Sequence, residues 1–183
     1  MLFLNKDSSC LNMFEWKDES FGSLPLQEFK YKRWDWAYEN VPDQVKPLLK
    51  RMFDLMPLDE DMRWLVDFKV RDLKAGDCGC KIEGWHLDVV SNPNHKSKPD
   101  FHLLYTTEFG TEFLTTHMIV DPSDTHFNHA IDCFNLGAVE RYKTSAKPNH
   151  VSAYNRFQLH RAPIVPQDCR RMLLRVTATE VIR

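Results

Sequence analysis

Met62-Arg63-Trp64-Leu65-Val66-Asp67-Phe68-Lys69-Val70-Arg71 is the stretch at which the chain changes period. Trp64, Val66, Phe68 and Val70 alternate with Leu65, Asp67, Lys69 and Arg71, the two-residue rhythm of a β-strand. Gly76 and Gly79 then mark a turn. Downstream the rhythm returns at Phe101 to Thr107, Glu112 to Val120, Val151 to Tyr154, Arg156 to Val165 and Arg171 to Val181. Lys81 to Val90 reads as a further strand, Ala138 to Tyr142 as a weaker one, and turn signals separate these segments (Ser91 to Asn94, Gly110, Asp121 to Asp124, Pro163 and Pro166). About eight strands with hairpin-scale links predict a mainly β protein, a two-sheet antiparallel jelly roll or double-stranded β-helix with room for a ligand between its sheets.

Upstream of Met62 the pattern is different. Val45, Leu48, Leu49, Met52, Phe53 and Met56 recur at helical spacing, with Asn40 as a cap and Pro57 as the stop. Pro47 lies inside that pattern, so the helix starts late or kinks there. The first forty residues are rich in aromatics without a clean period and predict one or two short strands or a helix packed on the body. The organisation expected is a single domain over 1–183: an N-terminal aromatic and helical buttress over 1–60 and a jelly-roll core over 61–183.

Composition narrows the classes. The 183 residues are 43% hydrophobic and 27% charged, with a net charge of -2. That is ordinary for a globular domain, and no chain-wide basic field points to nucleic acid. No apolar run is long enough for a membrane span. MLFLNKDSSC lacks the order of regions in a secretory signal, so the five cysteines (Cys10, Cys78, Cys80, Cys133, Cys169) read as reduced thiols and the protein as cytoplasmic. Cys78-Gly79-Cys80 has no matching second pair and reads as a turn rather than a zinc site.

His86-Leu87-Asp88 carries the chemistry. In an extended strand residues two apart share a face, so His86 and Asp88 point together. A buried carboxylate beside an imidazole needs compensation, which a divalent metal supplies; a surface hydrogen bond between the two is the simpler alternative. His160 lies on one face with Arg156, Gln158 and Ala162. Eleven residues later come Arg171 and then Arg175, on one face of their strand with Leu173 and Thr177. Two arginines there are costly unless anions meet them, and a guanidinium suits a carboxylate. Two histidines and one carboxylate can occupy one face of an octahedral Fe(II) and leave positions open for a co-substrate and O2. His102, His117, His126 and His129 match no common ligand spacing and read as surface or loop histidines. Lys30, Lys32 and Arg33, interleaved with Tyr31, Trp34 and Trp36, read as a packed amphipathic edge rather than a nucleic-acid surface.

Asn155-Arg156-Phe157-Gln158-Leu159-His160 followed by Arg171-Met172-Leu173-Leu174-Arg175 resembles the C-terminal motif of Fe(II)/2-oxoglutarate-dependent dioxygenases, in the taurine dioxygenase and clavaminate synthase-like branch. Trp85-His86-Leu87-Asp88 resembles that family's Trp-His-x-Asp. Gly110-Thr111-Glu112-Phe113 is similar to a glycine-led strand shared with the prolyl hydroxylase-like branch. The resemblance covers roughly residues 81–181. It implies His86, Asp88 and His160 as iron ligands, and Arg171 as the partner of the distal 2-oxoglutarate carboxylate, with Arg170 as the fallback. Arg175 would meet co-substrate or an anionic substrate group, and Thr111 would add a hydroxyl. The implied activity is oxidative, a hydroxylase using Fe(II), 2-oxoglutarate and O2 on a small-molecule or side-chain substrate. The chain is shorter than taurine dioxygenase-like enzymes, which leaves the substrate class open. Two other readings are a non-catalytic jelly-roll protein binding a small anionic ligand, and an iron enzyme without 2-oxoglutarate.

Overall fold

A computed structural model describes residues 2–4, 11–56, 60–80, 84–86, 100–115, 118–120, 140–156 and 158–180. In chain order the strands are β1 (Leu2–Leu4), β2 (Leu11–Glu15), β3 (Gln27–Arg33), β4 (Met62–Leu73), β5 (Phe101–Thr106), β6 (Glu112–Leu114), β7 (Met118–Val120), β8 (Lys143–Ser145), β9 (His150–Asn155), β10 (His160–Arg161) and β11 (Cys169–Glu180). Two short helices, α1 (Trp34–Asn40) and α2 (Lys46–Phe53), lie between β3 and β4.

The alternating stretch of the sequence forms the spine of the protein. β4 pairs antiparallel with β11 from Met62 opposite Glu180 to Leu73 opposite Cys169. Around that pair a six-stranded sheet runs in the order β2-β9-β5-β11-β4-β3, and a three-stranded sheet runs β10-β6-β8. β1 and β7 form a separate two-stranded pair. The described strand pairs are antiparallel, so the protein is mainly β with few helices.

Strand alternation divides the six-stranded sheet into two unlike faces. Val66, Phe68 and Val70 of β4 and Met172, Leu174, Val176 and Ala178 of β11 form one face with Leu103, Tyr105, Val151 and Ala153. The N-terminal region covers it, with Phe21, Leu24, Leu48, Leu49 and Met52 buried in the same cluster. Each such large apolar side chain contributes about 1.5–3 kcal/mol by leaving water. The other face carries Asp67, Lys69, Arg171 and Arg175, and there Leu104 of β5 and Tyr154 of β9 form a second cluster with Phe113 of the three-stranded sheet and Ala146.

The first sixty residues do more than buttress. β2 and β3 become the two edges of the large sheet. The helix begins at Lys46 with Pro47 in its first turn, where the missing N–H is no loss; Asn40 instead ends α1 and donates from Nδ2 to the Trp36 carbonyl. Glu112 to Val120, expected as one strand, is divided between β6 and β7 in different sheets. Residues 140–142 form a 3-10 turn rather than a strand. Arg156 to Val165 yields only the two-residue β10. Gly110 explains why β6 begins where it does. A Cβ there would lie 1.8 Å from the Ala146 carbonyl oxygen, while the neighbouring Thr111 carbonyl accepts from the Ala146 amide at 2.9 Å. Among the described residues no helix is long and apolar enough to cross a membrane.

Candidate functional site

His86 and His160 are joined first by backbone. They form an isolated antiparallel bridge in which the His86 amide donates to the His160 carbonyl at 2.8 Å and the His160 amide returns the bond at 3.0 Å. Directly opposed residues send their side chains to the same face, and the two rings sit 4.5 Å apart between centroids. Nδ1 of His86 lies 3.1 Å from the Gly84 carbonyl, and Nδ1 of His160 lies 3.0 Å from the Gln158 carbonyl. A carbonyl only accepts, so both Nδ1 atoms carry the proton and the ring lone pair resides on Nε2. Imidazoles prepared to hold a metal are oriented in this way.

Surrounding groups fix that geometry. The buried Gln158 amide donates to the Leu114 and Leu159 carbonyls at 2.7 and 3.1 Å. Glu112 accepts from Arg161 Nε at 2.6 Å and from Lys143 Nζ at 2.7 Å, tying β10, β6 and β8 together. The Arg161 guanidinium also lies 4.6 Å from the centre of the fully buried Trp85 ring. Trp85 and Arg161 are the chain neighbours of the two histidines, so this cation–ring contact holds the bridge from behind.

A cavity with about 640 Å3 of empty space, open to solvent, lies between the sheets. His86, His160, Thr111, Arg171 and Arg175 all line it. The sequence therefore places five of its six site residues around one space. Asp88, the sixth, lies outside the described residues, as do His117, His126 and His129. Among the described residues no three histidine, cysteine or carboxylate side chains converge as a metal site.

The two arginines of β11 differ in kind. Arg171 is 4% exposed; its Nε donates to the Glu108 carbonyl at 2.9 Å, and its Nη2 is buried with no hydrogen-bond partner among the described residues. Burial, above all, lowers its pKa to about 10, so it remains a cation at neutral pH. Gly79 makes room for it, since a Cβ there would lie 2.6 Å from Nη1. Arg175, expected to meet co-substrate or an anionic substrate group, is engaged within the protein. It stands opposite Asp67 in the β4–β11 register, and its Nε and Nη2 both bond to Asp67 Oδ2. Its first anion is thus the protein's own. Arg170, the fallback for Arg171, lies on the other side of the strand and pairs with Asp72 at 2.7 and 3.0 Å.

Other expectations change as well. His102 is fully buried rather than superficial; its Nδ1 lies 2.9 Å from Thr177 Oγ1 and its ring stacks on Tyr154 at 4.7 Å. Tyr154 in turn lies 5.2 Å from the His160 ring. The aromatic-basic edge is β3, where Lys32 sits 5.1 Å from the Trp36 ring centre. The described cysteines Cys78, Cys80 and Cys169 are free thiols. Lys30 and Tyr31, expected as part of a packed amphipathic edge, line the cavity, as do Lys69 and Tyr154. The available signal was the polar alternation Asp67-Lys69-Arg71, which reads as a solvated face until β11 supplies arginines opposite it.

No family model matches the chain, and no curated protein matches it. Among solved structures, the crystal structure of EvdO2 from Micromonospora carbonacea var. aurantiaca is similar at a TM-score of 0.42, with 13% identity over 86% of this chain and 70% of that one.

Proposed function

We propose that this protein is an Fe(II)- and 2-oxoglutarate-dependent dioxygenase, a hydroxylase built on a jelly roll. The observation that carries the reading is the His86–His160 bridge, with both rings turned by backbone carbonyls so that Nε2 is the donor atom, in one cavity with the buried cation Arg171. Strand succession supports the fold assignment. From β4 onward the chain visits the large sheet, the His86 bridge on the small sheet, then β5, β6, β8, β9, β10 and β11, crossing repeatedly between the two layers as jelly rolls do.

The residues fit the groups the reading requires. His86 and His160 would hold the metal, with Asp88 as the third ligand on the strength of its spacing in the sequence. Arg171 has an unsatisfied Nη2 at the cavity wall, the demand that a carboxylate meets. Thr111, 5% exposed, borders the same space. Bound iron and 2-oxoglutarate would supply the activation of O2 that amino-acid side chains lack. The chain itself orients the imidazoles, neutralises the co-substrate's charge and shields the site between two sheets.

Anaerobic addition of Fe(II) and 2-oxoglutarate should produce the weak visible charge-transfer band of the chelate, and aerobic turnover should release succinate. His160→Ala should abolish both. A protein that binds iron without the band would sink the co-substrate assignment. One that binds an organic anion but no metal would support the non-catalytic binding reading instead.

A further inference from the structure

The cavity wall built by β3, β4 and β11 carries more positive charge than its carboxylates balance. Lys30, Lys69, Arg71, Arg171 and Arg175 lie on or beside it, against Asp67 and Glu28. Both carboxylates are engaged. Asp67 pairs with Arg175 and accepts from the Tyr31 amide at 2.6 Å, and Glu28 pairs with Arg71. Arg171 is assigned to 2-oxoglutarate under the proposed function. Lys30 and Lys69 remain, and neither ammonium group forms a hydrogen bond or ion pair with the described residues.

Lys69 is only 9% exposed. Burial first, and the charge of Lys30 next, hold its pKa below the ordinary lysine value. Lys30 reaches that space by plain alternation, since its neighbour Phe29 faces the apolar core opposite Phe68; the irregularity concerns Tyr31. Residues 30 and 31 form a bulge between Phe29 and Lys32, and Tyr31 takes a φ of 52° while Asp67 holds its amide. In a regular strand, consecutive residues face opposite sides; here both Lys30 and Tyr31 line the cavity. A bulky residue at positive φ is a strained conformation that persists only where surrounding contacts impose it. The outcome is a pair of like charges, one at the rim and one at depth, converging on open space.

We propose that Lys30 and Lys69 form a second anion subsite, separate from Arg171, that holds an oxyanion group of a small substrate: a carboxylate, sulfonate or phosphate. This rests on the dioxygenase reading for the division of labour with Arg171. Charge complementarity favours such an occupant, since one dicarboxylate leaves the wall still positive. A neutral substrate would leave two ammonium groups facing each other without compensation.

The test uses inorganic phosphate as the probe, titrated calorimetrically into the full chain preloaded with Mn(II) and saturating 2-oxoglutarate. The wild type should bind one phosphate, and Lys30→Met with Lys69→Met should weaken it by about tenfold or more. Lys69→Arg, which keeps the charge, should stay within about threefold of the wild type. The affinity of the double variant for 2-oxoglutarate should change by less than about threefold, whereas Arg171→Met should lose it. Thermal unfolding of each variant reports whether it is folded. Phosphate that displaces 2-oxoglutarate one for one would overturn the inference, because the two sites would then be one. Equal phosphate affinity in the double variant and the wild type, an adventitious ion only, would overturn it too. Lysine-dependent phosphate binding without any 2-oxoglutarate binding would leave this subsite standing while removing the dioxygenase reading.

Discussion

Replacing Arg171 by methionine should stabilise the ligand-free protein and abolish its response to 2-oxoglutarate. Burial, above all, lowers the guanidinium pKa from its ordinary value to about 10. At roughly 1.4 kcal/mol per unit, the folded surroundings disfavour the cation by about 3 kcal/mol. Methionine keeps the apolar stem but forgoes the charged hydrogen bond to the Glu108 carbonyl, a loss of about 1.5–3 kcal/mol. The difference is a gain of up to about 1.5 kcal/mol, and each kcal/mol raises the Tm of a chain this size by about 2–4 °C. At a 2-oxoglutarate concentration of about 100 Kd the order should reverse, because ligand adds about 2.7 kcal/mol to the wild type and almost nothing to the variant. Thermal unfolding in Mn(II) buffer, with and without 2-oxoglutarate, reads both effects. Arg175→Met is the internal control. It leaves the Asp67 carboxylate buried without its cation and should cost about 3–5 kcal/mol whether or not ligand is present. If both arginine variants lose stability alike in the ligand-free state, Arg171 is a structural residue and the reasoning fails.

Asp67→Ala should be as damaging as Arg175→Met, about 3–5 kcal/mol, because it strands the partner cation; denaturant unfolding would check it, and a loss below about 1 kcal/mol would contradict a buried pair. Gly110→Ala should lower stability beyond the usual range of about 0.5–3 kcal/mol for point changes, since the clash is with backbone at Ala146, and soluble yield together with Tm reports it. Gly79→Ala meets only the end of the Arg171 side chain, so stability should hold while 2-oxoglutarate affinity drops about tenfold, measured by calorimetry. Lys69 has a folded pKa below its ordinary 10.5, so above that depressed value the unfolded chain binds more protons and stability rises with pH toward 10.5. Lys69→Met should remove that rise in urea titrations across alkaline pH.

Strands β4 and β11 were legible because both alternate cleanly and both bury their apolar set on one face; that they pair with each other came only from the structure. Helix α2 was legible in the same way, and Pro47 correctly signalled its late start. The region from Arg156 to Val165 misled, since its apparent alternation spans a short strand flanked by residues held through side-chain and loop bonds instead of a ladder. Gln158 is the example: its side-chain amide, not a backbone N–H, donates to the Leu114 carbonyl. His102 misled for another reason. A lone histidine carries no sign of its depth; here a bond to Thr177 and stacking on Tyr154 accompany its burial.

By itself, the sequence determined which residues could share a face: His86 and Asp88 by spacing, Arg171 with Arg175, and Val66 with Phe68 and Val70. Those are consequences of a two-residue period and need no partner strand. What each shared face meets was decided only by the tertiary structure. Register set Arg175 against Asp67 and so engaged its charge, while it set Arg171 against Arg71 and left the Arg171 Nη2 without a partner among the described residues. The bulge in β3 brought Tyr31 to the cavity beside Lys30, a placement that alternation forbids. Charge pairing depends on which groups lie within a few ångströms, and chains bring those groups together across separations that local pattern cannot encode.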